Sequence, residues 1–162
     1  LERVLFRVES TQSTTATILV QSQTEPQWDK AGSINLPDYL HSAPRVRPIS
    51  PQFRTGIPIR FRLQANPTIK HEHKRHAIYK DADLLAWLER KGNQHGFEIA
   101  PLNVRINQLG KYFGKNRQQT WHAVQFDGIL TITDVSAFEQ AFIEGIGSAK
   151  AFGFGLMSIA YA

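Results

Sequence analysis

A chain of 162 residues, 41% of them hydrophobic, can bury a real core and fits one medium domain or two small ones. Its 19 Lys and Arg against 14 Asp and Glu leave a formal charge of +5, which favours an acidic partner. The lack of cysteine excludes disulfides and thiolate metal sites and suits a reducing cytoplasm, while no apolar run is long enough to span a bilayer and no signal-peptide pattern is visible.

The sequence enters a strand-like pattern directly at Leu1, and the expectation is that further sequence precedes it. Val4, Phe6 and Val8 alternate with Arg3, Leu5 and Arg7, which predicts a strand with the valines and Phe6 on a core. A β-rich run from Thr15 to Gln21 follows a polar turn, so the two form a predicted hairpin. Between Glu25 and Pro51, the prolines at 26, 37, 44, 48 and 51 leave room only for short regular pieces.

From Ile57 to Ala65 the chain reads as a strand with Ile59, Phe61, Leu63 and Ala65 on one face, and Arg60, Arg62 and Gln64 on the other, solvated face. Pro67 should end it. The stretch Lys70 to His76 is basic without an apolar period and is predicted as an exposed loop, with Lys70, Lys74 and Arg75 as candidate RNA contacts. His71, His73 and His76 lack the spacing of a zinc enzyme, so metal binding ranks below RNA contact or solvation. Asp81 or Asp83 is expected to cap a helix through Leu84 and Leu88 that stops at Arg90, Lys91 and Gly92.

Phe97 to Asn107 then reads as a strand with Leu102, Val104 and Ile106 inward. A basic, aromatic connection follows, whose Lys111, Lys115 and Arg117 stand with Tyr112 and Phe113 at a hairpin tip able to enter a groove or stack on a base. Trp121 to Thr133 returns as a strand, and Asp134 caps a helix from Val135 to Glu144. The order strand, helix, strand, strand, helix, strand is ferredoxin-like and assigns residues 56–162 to one such domain, with residues 1–55 the remainder of another.

The last stretch places Gly145, Gly147, Gly153 and Gly155 around Ser148 and Lys150. Such a Cβ-poor loop with a cation suits an anion, phosphate or a nucleic-acid backbone, and it serves equally well to join a helix to a closing strand. It lacks the third glycine of a dinucleotide fingerprint and the Gly-Lys-Ser/Thr of a Walker loop.

At this point the chain resembles the CasE family of CRISPR repeat-processing endoribonucleases. The matching residues are Val4-Leu-Phe-Arg-Val-Glu9, Leu19-Val-Gln-Ser22, Phe61-Arg-Leu-Gln-Ala-Asn-Pro-Thr68, Leu85-Ala-Trp-Leu88, Phe126-Asp-Gly-Ile-Leu-Thr-Ile-Thr133 and the glycine-rich stretch Gly145 to Leu156. The resemblance implies an α+β fold of tandem ferredoxin-like domains, the first incomplete here. It implies as partners a CRISPR repeat RNA hairpin and other subunits of the type I-E surveillance complex, and cleavage without metal or other cofactor. In that chemistry the ribose 2′-hydroxyl attacks the adjacent phosphate and leaves a 2′,3′-cyclic phosphate and a 5′-hydroxyl, which needs a general base, a general acid and positive charge. The family's catalytic histidine lies on a first helix that would precede Leu1, and no histidine of this sequence matches it, so no catalytic residue is assigned.

Overall fold

The fold begins with two strands, β1 (Leu5–Gln12) and β2 (Thr15–Gln21), paired antiparallel from Leu5 opposite Gln21 to Gln12 opposite Thr15, with a bulge between Val8 and Ser10. The structure, a computed structural model, describes residues 2–28, 40–114 and 118–161. The hairpin is as predicted, but its faces are reversed. Leu5 (0% exposed) and Arg7 (3%) are the buried pair, whereas Val4 is 51% exposed, and the outward face carries Phe6, Ile18 and Val20 as well. An arginine can take the inner position because every part of its head is hydrogen-bonded there.

The larger sheet is built on β8 (Thr120–Ile132). On one side β8 pairs with β3 (Pro58–Ala65), which in turn pairs with β9 (Met157–Tyr161). On the other side β6 (Phe97–Ile99) and β7 (Arg105–Phe113) share its edge end to end. All pairings are antiparallel. Two helices, α1 (Asp81–His95) and α2 (Val135–Glu144), pack on the face that carries Ile59, Phe61, Leu63 and Ala65. Leu84, Trp87 and Leu88 from α1 meet Phe138 and Ala141 from α2 over Phe126, Leu130 and Ile132, with the Trp87 ring stacked on Phe126 at 5.9 Å. Burying a side chain of this size stabilises the fold by about 1.5–3 kcal/mol.

Four local expectations are corrected. Pro101 interrupts the strand predicted for 97–107, so the chain makes a short 3-10 turn at Pro101–Asn103 and leaves Leu102 fully exposed, while Val104 and Ile106 do pack against the core. Neither Asp81 nor Asp83 caps α1: Lys80 holds the N-cap without a side-chain bond, and the Asp81 carboxylate accepts from Gln108 Nε2 at 3.0 Å. The same helix runs past Gly92 to His95 and ends on Gly96 in the left-handed region. Gly92 is inside the helix because a Cβ there would lie 2.4 Å from the Phe97 carbonyl oxygen. Asp134 caps α2 as expected, accepting from the Ala137 amide at 3.0 Å. Finally, the stretch expected to be a loop after Pro67 is a hairpin, β4 (Thr68–His71) and β5 (Lys74–Ala77), whose two turn residues, Glu72 and His73, both have positive φ.

Among the described residues no helix is long and apolar enough to cross a membrane.

Candidate nucleic-acid interface

The glycine loop is held from three sides. Gly145 lies against Leu5, Gly147 over the Trp87 ring and Gly153 against Phe6. Gly155 sits at φ +90°, and a Cβ on it would come within 2.8 Å of the Ile146 carbonyl oxygen. That close approach lets the Ile146 amide donate to the Gly155 carbonyl at 2.9 Å and the Gly155 amide to the Gln64 carbonyl at 2.8 Å. The loop therefore closes on itself and on β3, and its outer arc is the short 3-10 turn Lys150–Phe152. Ser148 is engaged inward: its hydroxyl donates to the Asn66 carbonyl at 3.2 Å and accepts from Asn66 Nδ2 at 3.4 Å.

Arg7 fastens the β1–β2 hairpin beside this loop. Its guanidinium donates to Glu9 Oε1 from Nε (2.8 Å) and Nη2 (2.5 Å), to Ser158 Oγ (2.7 Å), and to the Leu156 and Arg62 carbonyls at 3.3 and 3.4 Å. Sequence reasoning passed over Arg7, because an arginine alternating with phenylalanine and valine in a strand ordinarily marks the solvent side.

Basic residues of three elements, Arg75 of β5, Lys91 of α1 and Lys150 of the glycine loop, are near enough for their charges to act on Lys91. Burial is the main cause that holds the Lys150 ammonium below the usual lysine range, and the charge of Arg3 adds to it, with Glu144 opposing. Lys91 on α1 is lowered in the same way, first by burial and then by the charges of Arg90, Lys150 and Arg75. His95 is lowered by burial and by Lys91 and Lys150. Arg75 and Lys150 were predicted sites. Arg90 and Lys91 were not, since basic residues in the last turn of a helix are read as partners of its dipole. Among the described residues the only ion pairs are Arg7 with Glu9 and Arg62 with Asp127, so this cluster keeps its charge. Groups of one sign that depress each other are the arrangement an anion relieves.

The β4–β5 finger carries the rest of the predicted basic set. Lys70 lies directly across from Arg75, and His71 from Lys74. Like charges directly opposite weaken an antiparallel pair, so the Lys70 and Arg75 pairing is not there for the stability of the hairpin. Lys111, Tyr112 and Phe113 belong to the exposed end of β7 and not to its tip. Lys115 and Arg117 lie outside the described residues.

A hydrogen-bonded chain joins these parts. Gln108 Nε2 donates to the Tyr79 carbonyl (2.8 Å) and to Asp81, which leaves Gln108 Oε1 as acceptor for His122 Nε2 at 3.0 Å. The neutral His122 ring therefore carries its proton on Nε2. Tyr79 lies against that ring at 4.5 Å, and the His122 amide donates to Asn66 Oδ1 at 3.0 Å, which brings the chain to Ser148. Burial holds the His122 imidazole below the usual histidine range.

The antiparallel strand order and the two helices on one face make this an α+β protein of the ferredoxin-like class. A family model described as "CRISPR associated protein" matches residues 1–161, and the chain belongs to that family. It is 33% identical to the CRISPR-associated endoribonuclease Cse3 of Thermus thermophilus, over 98% of this chain and 80% of the relative. It is 35% identical to the CRISPR system Cascade subunit CasE of Escherichia coli, over 72% of this chain and 64% of the relative. Among solved structures, Thermus thermophilus Cse3 bound to an RNA representing a pre-cleavage complex superposes with a TM-score of 0.82 at 30% identity, covering 98% of this chain and 78% of that one. These likenesses bear out the resemblance to CasE drawn from the sequence motifs.

Proposed function

We propose that the protein binds the hairpin of a CRISPR repeat RNA and cleaves the precursor transcript at the hairpin base. The observation that supports this reading is the match of fold and sequence to Thermus thermophilus Cse3 bound to RNA, together with the exposed finger on which Lys70 stands directly across from Arg75. A duplex RNA recognised by shape and phosphate contacts supplies the missing negative charge. The proposed footprint extends to Lys70, Lys74 and Arg75 on the finger, to Lys111 at the end of β7 with Lys115 and Arg117 after it, and to the loop bounded by Gly145, Gly147, Gly153 and Gly155, which carries Lys150 and whose Ser148 is tied to Asn66.

The reaction is attack of the 2′-oxygen on the adjacent phosphorus with loss of its proton to a base. The bond from phosphorus to the 5′-oxygen breaks, and that oxygen takes a proton from an acid, giving a 2′,3′-cyclic phosphate and a 5′-hydroxyl. No metal or other cofactor enters this scheme. The Cascade membership of the Escherichia coli relative supports other type I-E subunits as partners here, acting in the cytoplasm.

A second reading, a subunit that holds the hairpin and does not cut, is favoured by the setting of His122. His122 is buried against Tyr79 and committed to Gln108, and so is poorly placed as a base. Incubation of the full-length protein with a repeat hairpin in EDTA separates the readings. Cleavage with a cyclic-phosphate end supports the ribonuclease, binding without cleavage supports the holder, and cleavage that appears only on adding a divalent cation refutes the metal-free scheme.

A further inference from the structure

The aromatic residues at the outer edge of the glycine loop form a column. Trp121, the second residue of β8, and Phe152, the last residue of the loop's 3-10 turn, stack with ring centroids 4.1 Å apart and planes 29° apart. Gly114 backs the indole so closely that a Cβ there would lie 3.1 Å from Trp121 Cη2. The other member of the pair, Phe152, is 48% exposed. A phenylalanine stacked on a tryptophan and still about half exposed leaves aromatic surface to which a further ring can be added.

The backbone is set to keep it there. The turn that carries Phe152 is bounded by Ala149 and Gly153, both left-handed, at φ +61° and +88°. That conformation is natural for glycine and uncommon for alanine, and where a chain tolerates it the cause often lies in what the turn must display. The Phe152 amide donates to the Ala149 carbonyl at 2.9 Å and fixes the turn. Lys150, two residues before Phe152, runs its aliphatic stem across Gly155 and carries a cation without an ion-pair partner among the described residues.

We infer that the Trp121–Phe152 column is a stacking site for one unpaired nucleobase next to the RNA stem, with Lys150 taking an adjoining phosphate. The inference rests on the RNA-hairpin reading above and adds to it a contact with single-stranded RNA that the stem itself does not provide. An aromatic face that continues an existing stack accepts any base, so the site reads the presence of an unpaired nucleotide and not its identity.

The test uses the full-length protein and two RNAs of equal charge, the repeat hairpin with adenines or with abasic sites at the unpaired positions next to the stem. The wild-type protein should bind the adenine form about tenfold more tightly, the size expected of one base stacked on an aromatic ring. Phe152→Leu, which keeps apolar volume and removes the π face, should bring that ratio close to one, and Phe152→Trp should keep it. With 2-aminopurine in place of adenine, binding should quench its fluorescence with wild type and Phe152→Trp, and not with Phe152→Leu. Equal affinity of wild type for the two RNAs would overturn the inference while leaving hairpin binding intact. So would a preference for adenine that survives in Phe152→Leu. Failure of wild type to bind either RNA would overturn the RNA reading, and the stacking site with it.

Discussion

Arg7→Ala tests how the amino-terminal hairpin is tied to the sheet. The substitution removes five hydrogen bonds from a side chain that is 3% exposed. Their losses are unequal. Glu9 keeps a side chain 30% exposed and rehydrates, so its two short bonds contribute little to the net cost. The Leu156 carbonyl at 3.3 Å in a buried place, and the half-buried Ser158 Oγ at 2.7 Å, lose a charged donor, and each such bond is worth about 1.5–3 kcal/mol. The Arg62 carbonyl at 3.4 Å adds less. The net cost should be about 3–4 kcal/mol, which for a chain of this size lowers Tm by roughly 6–16 °C. Urea unfolding measures it, and limited proteolysis should show the segment after β2 cut sooner as the hairpin undocks. Arg7→Lys should recover only part of the loss, because one ammonium cannot reach the positions of a planar fork. A loss below about 1 kcal/mol for Arg7→Ala, or wild-type stability in Arg7→Met, would refute the argument and assign the docking to apolar contacts of the arginine stem.

Gly92→Ala sets two effects against each other. Helix propensity favours alanine by about 1 kcal/mol, but the new Cβ would lie 2.4 Å from a backbone oxygen, and overpacking of that kind costs about 1–3 kcal/mol. Urea unfolding should show net destabilisation, and a gain in stability would mean that β6 yields freely. Replacement of Arg75, Lys91 and Lys150 together by alanine should weaken hairpin binding and reduce the slope of log affinity against log salt by up to about two to three units. A titration whose slope does not change removes these cations from the interface. Because His122 and His95 are held below their ordinary range by burial, the unfolded chain binds protons that the folded one refuses. Their contribution is whole above about pH 6.5 and is lost as the pH falls toward the folded values. Tm should therefore drop between pH 7.5 and pH 5, and His122→Gln should shrink that drop. A drop of unchanged size in the variant would show that His122 does not take part.

The parts of the fold that were legible in the sequence are those whose apolar period is long and uninterrupted. β3, β8 and α2 stand where their alternation and caps put them, and together with the first helix and the strands around 97–107 and 157–161 their order gave the ferredoxin-like arrangement. The failures have local causes. Leu102 looked inward by alternation, but the turn at Pro101 resets the count. The β4–β5 hairpin went unseen because its turn uses Glu72 and His73 where asparagine and glycine are usual. Arg7 and the outward Phe6 were placed on the wrong faces because one strand carries no record of which side a distant Ser158 will occupy. The glycines were legible in the sequence, and the reason for them only in part. Spacing showed freedom of the backbone, while what they accommodate, Leu5, Phe6 and the Trp87 ring, comes from elements far away in the chain. Lys91 joined the cation cluster for the same reason: Arg75 and Lys150 reach it only through the tertiary fold.

The Glu72–His73 turn has one more effect. Two side-chain-bearing residues in the left-handed region cost of order 1 kcal/mol each, and the ladder they close is only four residues long on each strand. A finger built this way opens and recloses far more readily than the sheet behind it. Its exchange with solvent should therefore outpace that of β3 and β8, so that amides of the finger lose protection first in hydrogen exchange while the sheet behind it keeps its own.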